Sequence, residues 1–303
     1  MTLQVLDSGF RSLLEEHAVL RVLATDFIFT EGPIWNPKDQ YLLFSDIPPG
    51  IRHRWQGNKA TIELTPSNMG NGMTYDDVLN LLVCEHATSS VTRFSGGRRE
   101  VLASHFEGKE LNSPNDIIMA ADGAIWFSDP SYGRMPGFGV ERPCQLDFRG
   151  VYRIPPGGGA LELAVEKSMF TQPNGLCFSP DEKLLYINDT EQANIRVFDV
   201  EGGKLKNMRV FADGIADAAQ PDRRPDGMKC DARGNIWCTG PDGLWIYAAD
   251  GRLLGKIAVP EVVANLHWGG AQWQTLFITA STSLYALKIR VGPHKESFMS
   301  GYI

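Results

Sequence analysis

Residues 32–46 read GPIWNPKDQYLLFSD: a short apolar run, a Pro/Asp turn, then a second apolar run. Two such runs separated by turn residues predict a β-hairpin. The pattern recurs at Gly72 (GMTYDDVLNLLVCEH), Asp116 (DIIMAADGAIWFSD), Gly175 (GLCFSPDEKLLYIND), Gly227 (GMKCDARGNIWCTG) and Asn265 (NLHWGGAQWQTLFITA). The starts lie 40, 44, 59, 52 and 38 residues apart, with 38 residues after Asn265, so six copies fit and a seventh does not. Behind most hairpins comes a third strand, as at 91–94, 151–154, 195–198 and 244–247, and often a fourth, as at 100–103 or 208–211. Four strands per unit of roughly 40–50 residues predict an all-β, six-bladed β-propeller.

The last copy supplies only three strands. The stretch 18–27, ahead of the first hairpin, is spare, and we expect this N-terminal strand to complete the last blade. Closing the ring removes two exposed sheet edges. The chain is thus read as one propeller domain over 1–303, with an N-terminal extension at 1–17, the propeller at 18–295 and a polar tail at 296–303. Helical periodicity is confined to Ser8–Glu16.

Composition narrows the function. Lys plus Arg total 29 against 36 Asp plus Glu, a net charge of −7, which lacks the basic footprint of a nucleic-acid binder. No apolar run approaches the roughly 18 residues of a membrane span, so no membrane partner is expected. The five cysteines are odd in number and form no CxxC pair. They read as reduced thiols in a cytoplasmic protein, a monomer or homodimer. GxSxG, GxxxxGK and HExxH are absent, which disfavours serine-hydrolase and nucleotide chemistry.

The repeat points at its own axis. The residue just before each hairpin falls at one height beside the central channel: Glu31, Asn71, Asn115, Asn174, Asp226 and Ala264. Five of the six carry side-chain oxygens. Buried amides and carboxylates need partners, and two carboxylates near one axis repel. One divalent cation would neutralise Glu31 and Asp226 and accept the Asn oxygens. An all-oxygen set favours Ca²⁺, then Mg²⁺ or Mn²⁺, ahead of Zn²⁺.

The second strand of each hairpin returns to the same mouth and ends at Asp46, His86, Asp129, Asp189 or Gly240. These positions are expected to form an outer polar shell that touches substrate. Within it His86 is a candidate acid, base or hydrogen-bond donor. Residues 130–150, rich in Gly and Pro, start right after Asp129 and read as a lid with Tyr132, Arg134 and Phe138 as contact candidates. Residues 213–224 form a second, shorter excursion.

These residues resemble the SMP-30/gluconolactonase/luciferin-regenerating-enzyme-like family. The likeness rests on Glu31-Gly32-Pro33 followed by Trp35, Ser113-Pro114-Asn115-Asp116, Gln172-Pro173-Asn174-Gly175, Pro225-Asp226-Gly227-Met228, and Cys84-Glu85-His86 before Val91-Thr92-Arg93. It spans roughly residues 20–290 and is nearest the bacterial gluconolactonase-like branch. The resemblance implies a six-bladed propeller with one axial divalent metal held by Glu31, Asn174 and Asp226, with Asn115 as a ligand or a substrate contact. It implies lactone hydrolysis with Asp226 as general base; on chemical grounds we expect the cation to polarise the carbonyl and His86 to share the proton transfer. Asn71, Asn115, Asp129 and Tyr132 are the expected substrate contacts, and the partner a small-molecule lactone. Ser113 stands where some relatives carry a sugar-binding Arg. Two other readings stay open: phosphotriester hydrolysis on the same site, and a non-catalytic propeller binding module with a structural metal.

Overall fold

The hairpin at residues 32–46 forms the inner half of a four-stranded antiparallel sheet, Thr30–Asn36, Tyr41–Asp46, Ile51–Gln56 and Lys59–Leu64. The structure is a computed structural model and describes residues 2–302. The other copies each build one sheet of the same order from axis to rim. Blade two is Gly70–Tyr75, Leu81–Glu85, Ser90–Ser95 and Arg98–Ala103. Blade three is Ile117–Met119, Ile125–Asp129, Gly150–Ile154 and Glu162–Leu163. Blade four is Pro173–Phe178, Leu184–Asp189, Asn194–Glu201 and Lys204–Ala212. Blade five is Met228–Cys230, Ile236–Gly240, Gly243–Tyr247 and Leu253–Ala258.

Blade six has Val263–Gly269, Thr275–Ala280 and Ser283–Lys288, and its outer strand is Arg21–Ala24, paired antiparallel as Arg21 to Ala286 and Val22 to Tyr285. The spare N-terminal segment therefore closes the ring. The residues before it are also structured. Leu3–Val5 adds a fifth strand to blade five, covering an edge that would otherwise offer unpaired amides. The helical periodicity at Ser8–Glu16 becomes a short 3₁₀ helix, Ser8–Leu13, capped by Asp7, which accepts from the Gly9 amide at 2.7 Å. Phe10 and Leu13 on it are buried. The tail, expected to be polar, is half apolar: Phe298 and Met299 enter the core, and Glu296 comes within 3.7 Å of His267.

The core lies between blades, where apolar sheet faces meet. Trp237 meets Trp268 edge to face at 5.5 Å, joining blades five and six. Trp126 meets Phe178 at 6.0 Å, joining three and four, and Trp35 stacks on Phe277 at 5.5 Å, joining one and six. Such pairs add about 0.5–1.5 kcal/mol each beyond their burial.

At the axis the blades touch through backbone. The amide of Gly72 donates to Asn115 O at 2.8 Å, Gly175 to Asp226 O at 3.1 Å, and Gly227 to Ala264 O at 2.7 Å. A Cβ on Gly175 would lie 2.3 Å from that Asp226 carbonyl oxygen. The Asn-Gly and Asp-Gly dipeptides here are therefore close-approach points that hold each axial residue against the next blade.

Candidate functional site

Glu31, Asn71, Asn115, Asn174 and Asp226 come together around a cavity of about 600 Å³ at the head of the channel, joined by His86. Each lies at or just before the start of an innermost strand, at one level of its blade. The sixth position, Ala264, is fully buried and adds no polar group. Glu31 is buried, and Asp226 is half-buried because it opens only onto this deep cavity.

The two acidic side chains strain each other. Burial raises the pKa of both; the next contributions are the charge of Asp116 for Glu31 and the charge of Glu31 for Asp226. Glu31 accepts from Asn265 Nδ2 at 3.1 Å. Asn174 Nδ2 donates to Thr190 Oγ1 at 3.1 Å, and Thr190 Oγ1 donates on to Pro225 O at 2.7 Å. That fixes the amide so that Asn174 Oδ1, buried, has no protein donor, and Asn71 Oδ1 is left likewise. Two carboxylates plus unpartnered amide oxygens fit a hard divalent cation. Among the described residues no three of His, Cys, Asp and Glu gather into a metal-binding group, so the fit to a cation rests on the amide oxygens together with the two carboxylates.

The expected outer shell needs correction. His86 reaches the cavity, whereas Asp46, Asp129 and Asp189 do not. Asp129 accepts from the Asn112 amide at 2.9 Å and the Ser113 amide at 2.7 Å. Asp46 takes the Ile28 and Phe29 amides, and Asp189 those of Thr171 and Gln172. In every case the two amides sit three and two residues before the axial residue. These aspartates staple the segment that delivers each axial side chain, and Asp129, expected as a substrate contact, is fully buried and does not line the cavity. Burial raises Asp129 to about 7 despite those donors. Asp129→Asn would aim an amide group at backbone donors; it is expected to lower stability by about 1–3 kcal/mol in thermal melts while KM stays within about twofold.

Blade two has His86 where the staple aspartate would be. Its Nδ1 donates to the Phe138 carbonyl at 2.6 Å, which leaves Nε2 to accept from Asn71 Nδ2 at 3.1 Å. Burial pulls its pKa down to about 4, so the ring is neutral near pH 7. Both nitrogens are engaged.

Residues 130–150 are pinned over the cavity. Buried Arg134 donates to the carbonyls of Leu111 and Asn112, Arg142 pairs with Glu110 at 3.1 Å, and the Gly133 amide donates to Ser113 Oγ at 2.9 Å. Tyr132 and Phe138 line the cavity; Arg134 holds the base of the loop. Pro221, Asp222 and Arg224 of the second excursion also line it, as does Pro225 just after them.

Four residues at this centre were not singled out by the sequence: Thr190, Asn188, Asn265 and Lys229. Asn188 Nδ2 donates to Asp226 O at 2.6 Å. Lys229, largely buried, pairs with Asp116 at 3.4 Å. Asp116 and Asn265 stand where other copies have glycine, and a polar side chain breaking the repeat was the available signal.

A six-bladed propeller that gathers carboxylates and amide oxygens at the open end of its axial channel is a fold built around a small-molecule site. The chain belongs to the SMP-30/Gluconolactonase/LRE-like family, whose model matches residues 29–282. It is 30% identical to a gluconolactonase of Zymomonas mobilis, over 92% of this chain and 83% of that protein. The solved structure of a gluconolactonase from Xanthomonas campestris superposes with a TM-score of 0.88 at 33% identity, covering 96% of this chain and 95% of that one. The fold is shared with a calcium-binding regucalcin of Agrobacterium tumefaciens, TM-score 0.75 at 20% identity, covering 92% and 96%.

Proposed function

We propose that the protein is a metal-dependent lactonase that opens a lactone ring in the axial cavity with Asp226 as general base. The observation that carries this reading is the convergence of Glu31, Asn174 and Asp226 on one open cavity, with Asn174 Oδ1 left without a protein partner. Glu31, Asn174, Asp226 and Asn115 would hold the cation, Ca²⁺ before Mg²⁺ or Mn²⁺. When bound it supplies charge that polarises a lactone carbonyl and offsets the negative charge growing on its oxygen.

The chain's own groups do the rest. Water adds to the carbonyl carbon and gives a proton to Asp226. The ring carbon–oxygen bond breaks, Asp226 passes its proton to the ring oxygen, and the carboxylic acid formed releases one proton to solvent. Burial raises the proton affinity of Asp226, a bound cation would lower it again, and a lactone, as an activated ester, needs only a weak base. Thr239 Oγ1 accepts from the Asp226 amide at 2.7 Å and Asn188 Nδ2 donates to its carbonyl, so the backbone that carries the carboxylate is held at the cavity. Asn71 and Asn115 contact substrate, and Tyr132 covers it from the loop. With both nitrogens engaged, His86 positions Asn71 and the loop rather than taking the proton.

The names of the Zymomonas and Xanthomonas relatives support lactone chemistry, and that of the regucalcin supports calcium. No specific observation favours phosphotriester hydrolysis, and the open cavity argues against a purely structural metal. Five free cysteines, four of them buried, support a reducing, cytoplasmic setting. No helix among the described residues is long and apolar enough to cross a membrane. The test is acid release in a pH-stat from δ-gluconolactone with Ca²⁺ present. Rates above the spontaneous background are expected on at least one lactone of a panel that also holds δ-valerolactone and δ-decalactone, and background rates on all of them with every divalent cation tried would overturn the reading.

A further inference from the structure

The cavity has two unlike walls, and their contrast deepens the lactonase reading on which this inference rests. One wall carries Phe29, Ile47 and Val263 from blades one and six, faced by Met135 and Phe138 of the loop. Phe29 and Phe138 meet edge to face, with ring centroids 5.0 Å apart at 86°. Met135 is 49% exposed and Phe138 36%, so large apolar side chains are held at the mouth without being packed away. Each such surface left in water forgoes roughly 25 cal/mol per Å² that an apolar ligand would recover.

The other wall offers Thr190, Glu191, Asp222 and Arg224, of which Thr190 and Arg224 are already engaged. Thr190 lies between Asn174 and Pro225 O. Arg224 donates to the carbonyls of Pro221 and Glu191 at 3.1 Å each. Glu191 is 3.5 Å from Tyr132 Oη. A polyhydroxylated ring turned toward this wall would meet Thr190 and Arg224 already committed, with the Asp222 and Glu191 carboxylates as its partners, whereas the apolar wall offers an alkyl or aryl group a surface with no polar group to satisfy. At about 600 Å³ the space falls in the range that holds drug-sized ligands.

We propose that this site takes a lactone bearing an apolar arm, an alkyl or aryl substituent lying along Phe29 and Phe138 while the ring carbonyl faces the axial oxygens. Phe29 and Phe138 are then specificity-determining residues. The test compares δ-valerolactone with δ-decalactone, the same six-membered ring with a pentyl arm, and δ-gluconolactone as the sugar lactone. The arm is expected to raise kcat/KM at least about tenfold over δ-valerolactone, since a single methylene in an apolar pocket is worth about that much. Phe138→Ala retains the carbonyl that His86 uses. It is expected to lower kcat/KM for δ-decalactone at least about fivefold more than for δ-valerolactone, with Phe29→Ala doing the same independently. Equal rates on the substituted and unsubstituted rings, or equal losses on both in the two variants, would overturn the inference while turnover of δ-gluconolactone left the lactonase reading standing. No ring opening of any of the three would overturn both.

Discussion

Asp226→Asn is expected to reduce lactone turnover by about 10²–10⁴, the usual worth of a positioned base, with saturating Ca²⁺ present throughout. The substitution keeps the shape of the side chain and all the backbone contacts through Asn188 and Thr239. It removes one of two mutually repelling acidic groups, so the variant stripped of cation should melt no lower than the stripped wild type. Steady-state rates and thermal melts on the same preparations check both halves. Activity within about threefold of wild type would remove Asp226 from the chemistry. Because Asp226 is also placed among the cation's ligands, calorimetric titration with Ca²⁺ is expected to show weaker binding, and the rate loss that persists at saturating Ca²⁺ is the part due to the base.

Chelation should silence the enzyme reversibly and soften it. Glu31 and Asp226 lie deep in the protein, and the nearby cation, Lys229, is already paired with Asp116 at 3.4 Å. A ligand at a hundredfold its Kd stabilises by about 2.7 kcal/mol. For a chain of this length that is a rise in Tm of roughly 4 °C. Calcium is expected to restore both rate and Tm after EDTA, and Glu31→Gln to weaken the restoration. Full activity under thorough chelation would detach the cation from the reaction.

Much of this architecture was legible in the chain. Hairpin turns are local, so the six copies could be counted from turn residues and apolar runs. The shortage of one strand in the last copy pointed to the N-terminal segment that pairs with Ser283–Lys288. The axial ring was legible for a related reason: equivalent places in a repeat fall at equivalent heights, and Glu31, Asn71, Asn115, Asn174 and Asp226 line one cavity. Height, however, does not give direction. Asp129 ends its strand beside the mouth, but its oxygens turn back onto the amides of Asn112 and Ser113, which only the packed loop presents. The bond from His86 to the Phe138 carbonyl spans 52 residues and has no local trace.

The sequence by itself determined the blades, their number, the strand that closes them and the residues presented to the axis, because periodic patterning and turn chemistry act over a few neighbours. The tertiary structure alone decided which oxygens stay without partners, which aspartates hold backbone, and which wall of the cavity is apolar. Those outcomes depend on groups brought together by ring closure from segments far apart along the chain.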